Sequence, residues 1–340
     1  MADTEHIQLA HGGGGQLAAE LIRDVILPAL GGGQDPRALA DAAVLGVGGA
    51  KLAFTTDSYV VQPLEFPGGD IGKLAVCGTI NDLAVAGARP AAISLAAVIR
   101  EGLEIALLRR VLASAGRAAK AAGVAIVTGD TKVVERGASD GLILTTSGVG
   151  LMHPAARLGF DRIETGDRIL LSGPLGEHGL AVMSCRKGLS LQADLASDCA
   201  SIAPLAAALL EEFGPGVRFM RDPTRGGLAA VLADVASASG KDVEVVEIAI
   251  PVNRTVQAAA EMLGLDVLAA ANEGKLVAVV APAAAEKARG ILAKHEIARQ
   301  AAVIGTVGGP SGDPIVEMVT AAGGRRVVQM PYGEELPRIC

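Results

Sequence analysis

Apolar and polar positions alternate along the first half of the chain in a pattern that predicts strands separated by helices. β-rich runs predict strands at 52–61, 91–99, 124–134 and 142–152. Helical spacing begins directly after the glycines at 12–15 and recurs over 71–88, where Asp70 is placed to cap the first turn. A further helix is predicted over 103–123, and it ends at Gly123.

The second half of the chain repeats this mixture. Helices are predicted at about 176–188, 201–213 and 225–240. β-rich runs predict strands at 168–173, 242–248, 275–281, 302–307 and 314–319. Because strands often follow one another without a helix between them, we predict an α+β fold of two mixed α/β layered domains rather than a strictly alternating, doubly wound sheet.

The domain boundaries follow from loop-like stretches. A chain of 340 residues favours two domains. We predict an N-terminal domain over 1–155 and a C-terminal α+β domain over 156–330, because the stretch HPAARLGFDRIETGD follows the strand at 142–152. The last ten residues, PYGEELPRIC, contain two prolines and a glycine, so we expect an extended, mobile tail over 331–340.

Composition and charge exclude several classes of protein. The formal net charge of −7 and the absence of a basic run argue against nucleic acid as a partner. With two Tyr, five Phe and no Trp, the chain also has few aromatic side chains on which bases could stack. The N-terminus has no secretory pattern, and charged residues interrupt every apolar stretch. Four cysteines without C-x-x-C pairing fit reduced thiols, so we expect a cytoplasmic protein without membrane contact.

Glycines and acids in the first half form a candidate site for phosphate and metal. The glycines at 12–15 can turn backbone N–H groups toward an anion at a helix start, although a flexible hinge explains the run equally well. Asp41, Asp57, Asp82 and Asp130 stand where strands end or helices turn. As a set they favour Mg²⁺ bridged to phosphates, whereas capping explains any single Asp.

Three further motifs are ambiguous when each is taken alone. Lys132 follows Asp130 by two residues, so both would face the same side of a strand, and a simple salt bridge is the alternative. The segment 222–227, DPTRGG, has the donors of an anion-binding helix start or of an ordinary N-cap. Glu273 is either a general base or a turn residue.

The chain ends in a cysteine, Cys340, on the predicted tail. Its α-carboxylate and the neighbouring Glu334 and Glu335 would raise the pKa of the thiol, which suits a loaded carrier better than an unaided nucleophile. A terminal cysteine also arises by chance.

Together these segments resemble the HypE family of hydrogenase maturation proteins over essentially the whole chain. The motifs HGGGGQ, TTDSYVV, FPGGDIGKLAVCGTINDLAVAGA, IVTGDTKVVERG, DPTRGG, ANEGKL and PRIC occur in the family's order. The terminal PRIC separates this family from proteins similar to aminoimidazole ribonucleotide synthetase, selenophosphate synthetase and thiamine-phosphate kinase, which share its ATP-binding fold. One departure is Pro223, where many members of the family have Ala.

The resemblance implies a function and partners. It implies a homodimer whose N-terminal halves pair their sheets into a barrel-like interface, with ATP and Mg²⁺ bound near it. A carbamoyltransferase, HypF, would load a carbamoyl group on the terminal thiol, and this chain would dehydrate it to a thiocyanate with ATP. The cyano group would then pass to iron on a HypC–HypD complex, on the way to a [NiFe] hydrogenase.

The expected roles divide the candidate residues into three groups. Mg²⁺ is expected on Asp41, Asp57, Asp82 and Asp130. The nucleotide is expected to contact Gly12, Gly13, Gly14, Gly15, Asp57, Asn81, Asp130, Thr224 and Arg225. For catalysis, Cys340 carries the reacting group and Lys132 stabilises charge on the oxygen or phosphoryl group. Glu273 is the first choice of base, with Asp82 as its rival.

Two other functions stay open from the residues. One is an ATP-dependent synthetase or kinase of the same fold that acts on a soluble small molecule, for which the terminal cysteine would be incidental. The other is a carrier without catalysis of its own. The acids beside the glycines argue against the carrier, and the terminal PRIC argues against the soluble substrate.

Overall fold

A computed structural model describes residues 6–30, 40–137, 141–188, 195–333 and 339. The predicted α+β class is confirmed, since each half of the chain contains a sheet with helices packed on it. None of the helices in the described residues is both long enough and apolar enough to cross a membrane.

The first half forms a five-stranded sheet with the order β1-β2-β7-β5-β6. Its strands are β1 (Ala43–Val47), β2 (Ala50–Tyr59), β5 (Ala88–Arg100), β6 (Ala125–Val134) and β7 (Leu142–Met152). Only β5 and β6 pair in parallel, and helix α4 (Ile105–Ala121) connects them, while the other pairs are antiparallel. A parallel pair needs such a crossover, and this mixture is what the successive β-rich runs predict.

Helix α3 (Ile71–Val85) is the central element of this half. Its sequence, IGKLAVCGTINDLAV, is apolar on nearly every side, and the helix is buried between the sheet, α4 and α6 (Ala203–Phe213) of the second half. The side chain of Asp70 accepts hydrogen bonds from the amides of Gly72 and Lys73, so the predicted cap is confirmed. A short hairpin of β3 (Glu65–Phe66) and β4 (Gly69–Asp70) leads into this cap.

The second half forms a seven-stranded sheet with the order β14-β13-β10-β12-β8-β11-β9. Its strands are β8 (Arg168–Leu171), β9 (Val217–Arg221), β10 (Lys241–Val246), β11 (Val277–Val280), β12 (Ala302–Pro310), β13 (Val316–Val319) and β14 (Arg325–Val327). The helices of this half are α5 (Glu177–Arg186), α6, α7 (Gly227–Ser239), α8 (Arg254–Leu263) and α9 (Ala285–Leu292). The strand β11 lies between β8 and the edge strand β9 and is completely buried.

The two halves share one hydrophobic core. Buried side chains of both sheets, such as Leu144 of β7 and Leu171 of β8, belong to the same cluster. Asn81 of α3 ties the halves further, because its amide donates to the carbonyls of Ala200 and Glu273 and its oxygen accepts from the amide of Ile202. The position of α3 therefore fixes the second half against the first.

Within the described residues before the first sheet, a 3-10 turn over Leu9–Gly12 is followed by a longer helical stretch. It consists of α1 (Gln16–Leu21), a π-helical turn over Ile22–Ile26 and α2 (Leu27–Ala29). This stretch is the helix that the sequence predicts after the glycines at 12–15.

Candidate active site

Acidic side chains from both halves line a cavity of about 190 Å³. Asp57 comes from β2, Asp82 from α3, and Asp222 directly follows β9. Asp41 precedes β1, and Glu273 lies in the loop before β11. The remaining lining residues are Thr55, Thr56, Ser58, Tyr59, Gly78, Thr224 and Arg225. Residues that are far apart in the sequence are thus brought to one place by the contact between the halves.

Hydroxyl groups of β2 hold two of these carboxylates. The Thr55 hydroxyl lies 2.9 Å from Asp82 Oδ2 and 2.8 Å from the backbone carbonyl of Asp41. The Tyr59 hydroxyl donates to Asp57 Oδ2 over 3.3 Å. These contacts orient the carboxylates but bring no positive charge to them.

An ion pair holds Asp41 at the rim of the cavity. Arg221 donates to Asp41 over 3.1 Å and to Asp234 over 2.8 Å. Its guanidinium also lies 5.5 Å from the ring centres of Phe160 and Phe219. The position of Asp41 is therefore fixed by an ion pair.

The deeper acids hold their protons more tightly than ordinary carboxyl groups. Burial and the charge of Asp41 raise the pKa of Asp222 to about 8. Desolvation, with the charges of Asp222 and Asp57, raises the pKa of Asp82 well above its ordinary value. Burial, followed by the charges of Asp222 and Asp198, does the same to the pKa of Glu273. Carboxylates so close together need either protons or a cation.

Two oxygens of this cluster have no hydrogen-bond partner within the described part of the chain. They are Asp222 Oδ2 and Glu273 Oε1, both buried. Unpaired buried oxygens are costly and are suited to a cation or to a donor on a ligand. No three acidic, His or Cys side chains of the described residues converge closely enough to hold a metal alone. Any ion here would take its remaining ligands from water or phosphate, as Mg²⁺ often does.

A buried network positions Glu273 from behind. The amides of Glu273 and Gly274 donate to the carboxylate of Asp198, at 3.1 and 3.2 Å. Lys275 Nζ lies 3.1 Å from Asp198 and 2.8 Å from Glu177, and its side chain is only 4% exposed. Sequence reasoning missed these three charged partners, because nothing local in the sequence connects residues about 75 to 100 positions apart.

The two loop motifs of the second half fit together. Asn272 donates through its side-chain amide to the carbonyls of Pro223 and Ala270, and its oxygen accepts from the amide of Gly176. The ANEGKL motif therefore shapes the DPTRGG loop that brings Asp222, Thr224 and Arg225 to the cavity. Pro223 has no backbone N–H to donate, and it contributes its carbonyl, which accepts from the side chain and from the backbone amide of Asn272.

The glycine loop lies against this motif and against the base of the tail. A Cβ atom on Gly14, whose φ is +71°, would lie 2.5 Å from Arg225 Cβ. A Cβ atom on Gly15 would lie 2.1 Å from the carbonyl oxygen of Pro331. The amides of Gln16 and Leu17 donate to the carbonyls of Pro331 and Tyr332. Gly14 and Gly15, the last two glycines of the run, thus form a close-packed junction.

Other predicted site residues lie outside the cavity. The side chain of Asn81 is buried and bonded to backbone groups, as described above. Asp130 and Lys132 form an ion pair at 3.2 Å and are 63% and 69% exposed. They lie on β6, the edge strand, which is separated from β2 by β7 and β5. At about 4.8 Å per strand this is roughly 14 Å from the strand of Asp57.

The described residue near the end of the tail, Ile339, is buried in the core. Residue 340, which carries the predicted reacting group, lies outside the described residues. Its neighbour Ile339 is 4% exposed and belongs to the main hydrophobic core. The chain therefore brings at least this one residue of the tail inside.

The two halves match the two domains of one enzyme family. Residues 39–152 match the AIR synthase related protein N-terminal domain, and residues 164–316 match the AIR synthase related protein C-terminal domain. The fold and the shared acidic cavity thus define a two-domain protein of the AIR synthase related class.

Full-length relatives identify the branch of this class. The chain is 48% identical over 339 residues to "Carbamoyl dehydratase HypE" of Rhodobacter capsulatus, covering 99% of this chain and 98% of that protein. The chain belongs to the HypE family, as predicted.

Two solved structures resemble the fold described here. One is that of a HypE–HypF complex, with a TM-score of 0.86 and 42% identity, covering 92% of this chain and 99% of that one. The other is HypE in complex with ATP, with a TM-score of 0.82 and 44% identity, covering 97% of this chain and 98% of that one.

Proposed function

We propose that this chain uses ATP to dehydrate a carbamoyl group carried on the thiol of Cys340, which becomes a thiocyanate. The chain is an ATP-dependent carbamoyl dehydratase of hydrogenase maturation. One observation carries the proposal: a buried cluster of carboxylates with raised pKa values and two unpaired oxygens lies beside the glycine loop and the base of the tail.

The chemistry requires an activated oxygen and a base. The carbamoyl oxygen attacks the γ-phosphorus of ATP, ADP leaves, and the C–O bond then breaks with phosphate as the leaving group. Both N–H protons are lost as the C≡N bond forms, so a thiocarbamate and ATP give a thiocyanate, ADP and phosphate. Glu273 is the first choice to accept a proton, because it lines the cavity and its Oε1 atom has no hydrogen-bond partner within the described residues. Asp82 remains its rival.

Mg²⁺ would be held by the acids of the cavity together with phosphate oxygens. The proposed ligands remain Asp41, Asp57, Asp82 and Asp130, and the unpaired oxygen of Asp222 favours adding that residue to the set. The ion would neutralise the developing charge on the phosphates. The glycines at 12–15, with Thr224 and Arg225, would close over the phosphates.

A second protomer would complete this site. Asp130 and Lys132 lie on the edge strand β6, away from the cavity of their own chain. The face of the first sheet away from α3 exposes apolar side chains at Leu45, Val47, Phe54, Val127 and Leu151. Pairing two such faces would bury these residues, and we infer that it would also bring β6 of one protomer toward the cavity of the other. We therefore propose a homodimer in which Lys132 acts across the interface.

The partners follow from the family. HypF is the proposed source of the carbamoyl group, since a HypE is known in complex with it. A HypC–HypD complex is the proposed acceptor of the cyano group. The cytoplasmic location expected from the sequence stays a prediction.

Mass spectrometry of the intact protein and of its C-terminal peptide tests the proposed function. After incubation with HypF, carbamoyl phosphate and MgATP, the Cys340 peptide should gain ~43 Da and then lose ~18 Da, the loss requiring ATP for phosphoryl activation. Lys132→Ala should accept the carbamoyl group as the wild type does but fail to lose water.

Other results would change the proposal. Loading without loss of water in the wild type would leave Cys340 as a carrier only. ATP turnover that survives deletion of Cys340 would point instead to a soluble substrate. Failure of Lys132→Ala to load would contradict the role given to Lys132.

A further inference from the structure

We propose that His178 is a positioning residue for the proposed reaction and that it clamps the end of the tail by donating a hydrogen bond to the carbonyl of Ile339. This inference rests on the proposed function, because it concerns how the residue next to Cys340 is held while the carbamoyl group reacts. His178 belongs to none of the site residues expected from the sequence. It is the first buried side chain of α5.

The bonds of His178 fix which of its nitrogens carries the proton. Nε2 lies 2.6 Å from the carbonyl oxygen of Ile339, and Nδ1 lies 2.8 Å from the hydroxyl of Ser197. A carbonyl can only accept, so Nε2 donates and Nδ1 accepts from Ser197. Burial lowers the pKa of His178, partly opposed by the bond to Ile339 and by Asp198, which favours this neutral form.

The surroundings of the imidazole leave it little freedom. His178 is completely buried, and its ring packs edge-on against Phe66 with the centroids 5.4 Å apart. Ser197 is itself held, because its amide donates to the carbonyl of Pro67 and its hydroxyl accepts from the amide of Cys199. The donor that faces Ile339 is therefore held in place by contacts that do not involve the tail.

The bonded carbonyl belongs to the peptide unit that joins residue 339 to residue 340. A peptide unit is planar, so a bond to its oxygen restricts the orientation of the whole unit. The bond to the Ile339 carbonyl therefore limits the directions in which the chain can leave residue 339. Because His178 already restricts the chain at residue 339, less conformational entropy is lost when the carried group reaches the base.

The same segment of chain supports both the tail and the proposed base. Ser197 orients His178, and the next residue, Asp198, accepts from the amides of Glu273 and Gly274. Residues 197–198 therefore fix the distance between the clamp and Glu273. Nε2 has no other acceptor within the described residues, so departure of the tail leaves a buried donor unpaired unless water enters.

Replacing the donor tests the clamp. His178→Leu removes the donor at similar size, and His178→Gln keeps an amide donor. We expect His178→Leu to load carbamoyl from HypF within about twofold of the wild type but to dehydrate it about tenfold more slowly, the effect of losing one hydrogen bond. His178→Gln should restore part of the rate. His153→Leu is the matched control, since His153 lies outside this contact, and it should dehydrate normally.

A stability cycle separates a clamp from an ordinary core histidine. His178→Leu should lower the melting temperature of the full chain more than that of a chain ending at residue 338, because the contact with Ser197 is lost in both chains and the bond to Ile339 only in the full chain. Equal losses in both chains, or normal dehydration by His178→Leu, would overturn the proposal. The melting temperatures do not depend on carbamoyl chemistry. They therefore test the bond between His178 and Ile339 even if the wild type fails to dehydrate the carbamoyl group and the proposed function is rejected.

Discussion

Buried carboxyl groups of the cavity raise one another's pKa values, although the residues come from distant parts of the chain. Asp41, Asp57 and Asp82 were expected from their positions at strand ends and helix turns, and they line one cavity together with Glu273. Asp222 was visible as the first residue of DPTRGG, but an N-cap explained it as well as a site did. Its pKa of about 8 arises from burial and from the charge of Asp41, and the partner is 181 positions away in the chain.

The buried charges behind Glu273 give a prediction about stability. Burial lowers the pKa of Lys275, but the charges of Asp198 and Glu177 outweigh it and raise the pKa above its ordinary value. Lys275→Met would leave these two acids without their cation. We expect this change to reduce the free energy of unfolding by about 3–5 kcal/mol, measured by urea denaturation.

An exposed lysine provides the control for this measurement. Lys287 pairs with Glu212 at the surface, where the two side chains are 64% and 40% exposed. Lys287→Ala should change the free energy of unfolding by no more than about 1 kcal/mol. A similar small effect of Lys275→Met would mean that Asp198 and Glu177 take up protons or water at little cost.

At the scale of elements, the glycine loop, α1 and the tail base form one unit. Gly15 has ordinary backbone angles, with φ of −97°, so its need for glycine comes from the close approach of Pro331 and not from strain. The first amides of α1 donate to carbonyls of the tail base. A change in the loop at the cavity is therefore transmitted directly to the base of the tail.

Two substitutions in this loop test the junction. Gly15→Ala places a methyl group about where the Pro331 carbonyl lies, whereas the same change at Gly12 meets no atom within 4 Å. We expect Gly15→Ala to raise the rate of hydrogen exchange at Gln16 and Leu17 by about tenfold or more, because their acceptors are displaced. Gly12→Ala should leave that rate unchanged. Unchanged exchange in both variants would show that the loop and the tail base can shift together.

Elements with long apolar patterns were predicted from the sequence. The helix over 71–88 and the strand at 142–152 are present as α3 and β7. Strands as short as the four residues of β8 and β11 were predicted, whereas β1 and β9, with the sequences AVLGV and VRFMR, were missed. They form because a neighbouring strand already offers unpaired backbone groups.

For the whole molecule, local pattern predicted the layers but not their arrangement. The α+β class followed from successive strands, and the family followed from the motifs, and both are confirmed. That residues of both halves share one cavity could not be read from spacing, because it depends on how α3 sits between the two sheets. The exposed apolar face of the first sheet is a property of the tertiary fold as well, since its residues come from four separate strands.

The homodimer gives the prediction at this scale. Val127 lies on β6 and is 64% exposed. If two sheets pair through this face, Val127→Asp buries a charge without a partner, and the dimer should dissociate with a dissociation constant raised by roughly 100-fold or more. Sedimentation velocity over a range of protein concentrations measures this change. Ile248→Asp is the control, because Ile248 is 79% exposed but lies in the second half, away from the sheet.

The same variant separates assembly from chemistry. If Lys132 acts across the interface, monomeric Val127→Asp should still be carbamoylated by HypF but should lose dehydration, as Lys132→Ala does. Mixing Lys132→Ala with a Glu273→Gln variant should then recover activity in mixed dimers, because one of the two cavities receives an intact Glu273 from one chain and an intact Lys132 from the other. A monomer that dehydrates at the normal rate would place Lys132 outside the reaction and confine the chemistry to the cavity of a single chain.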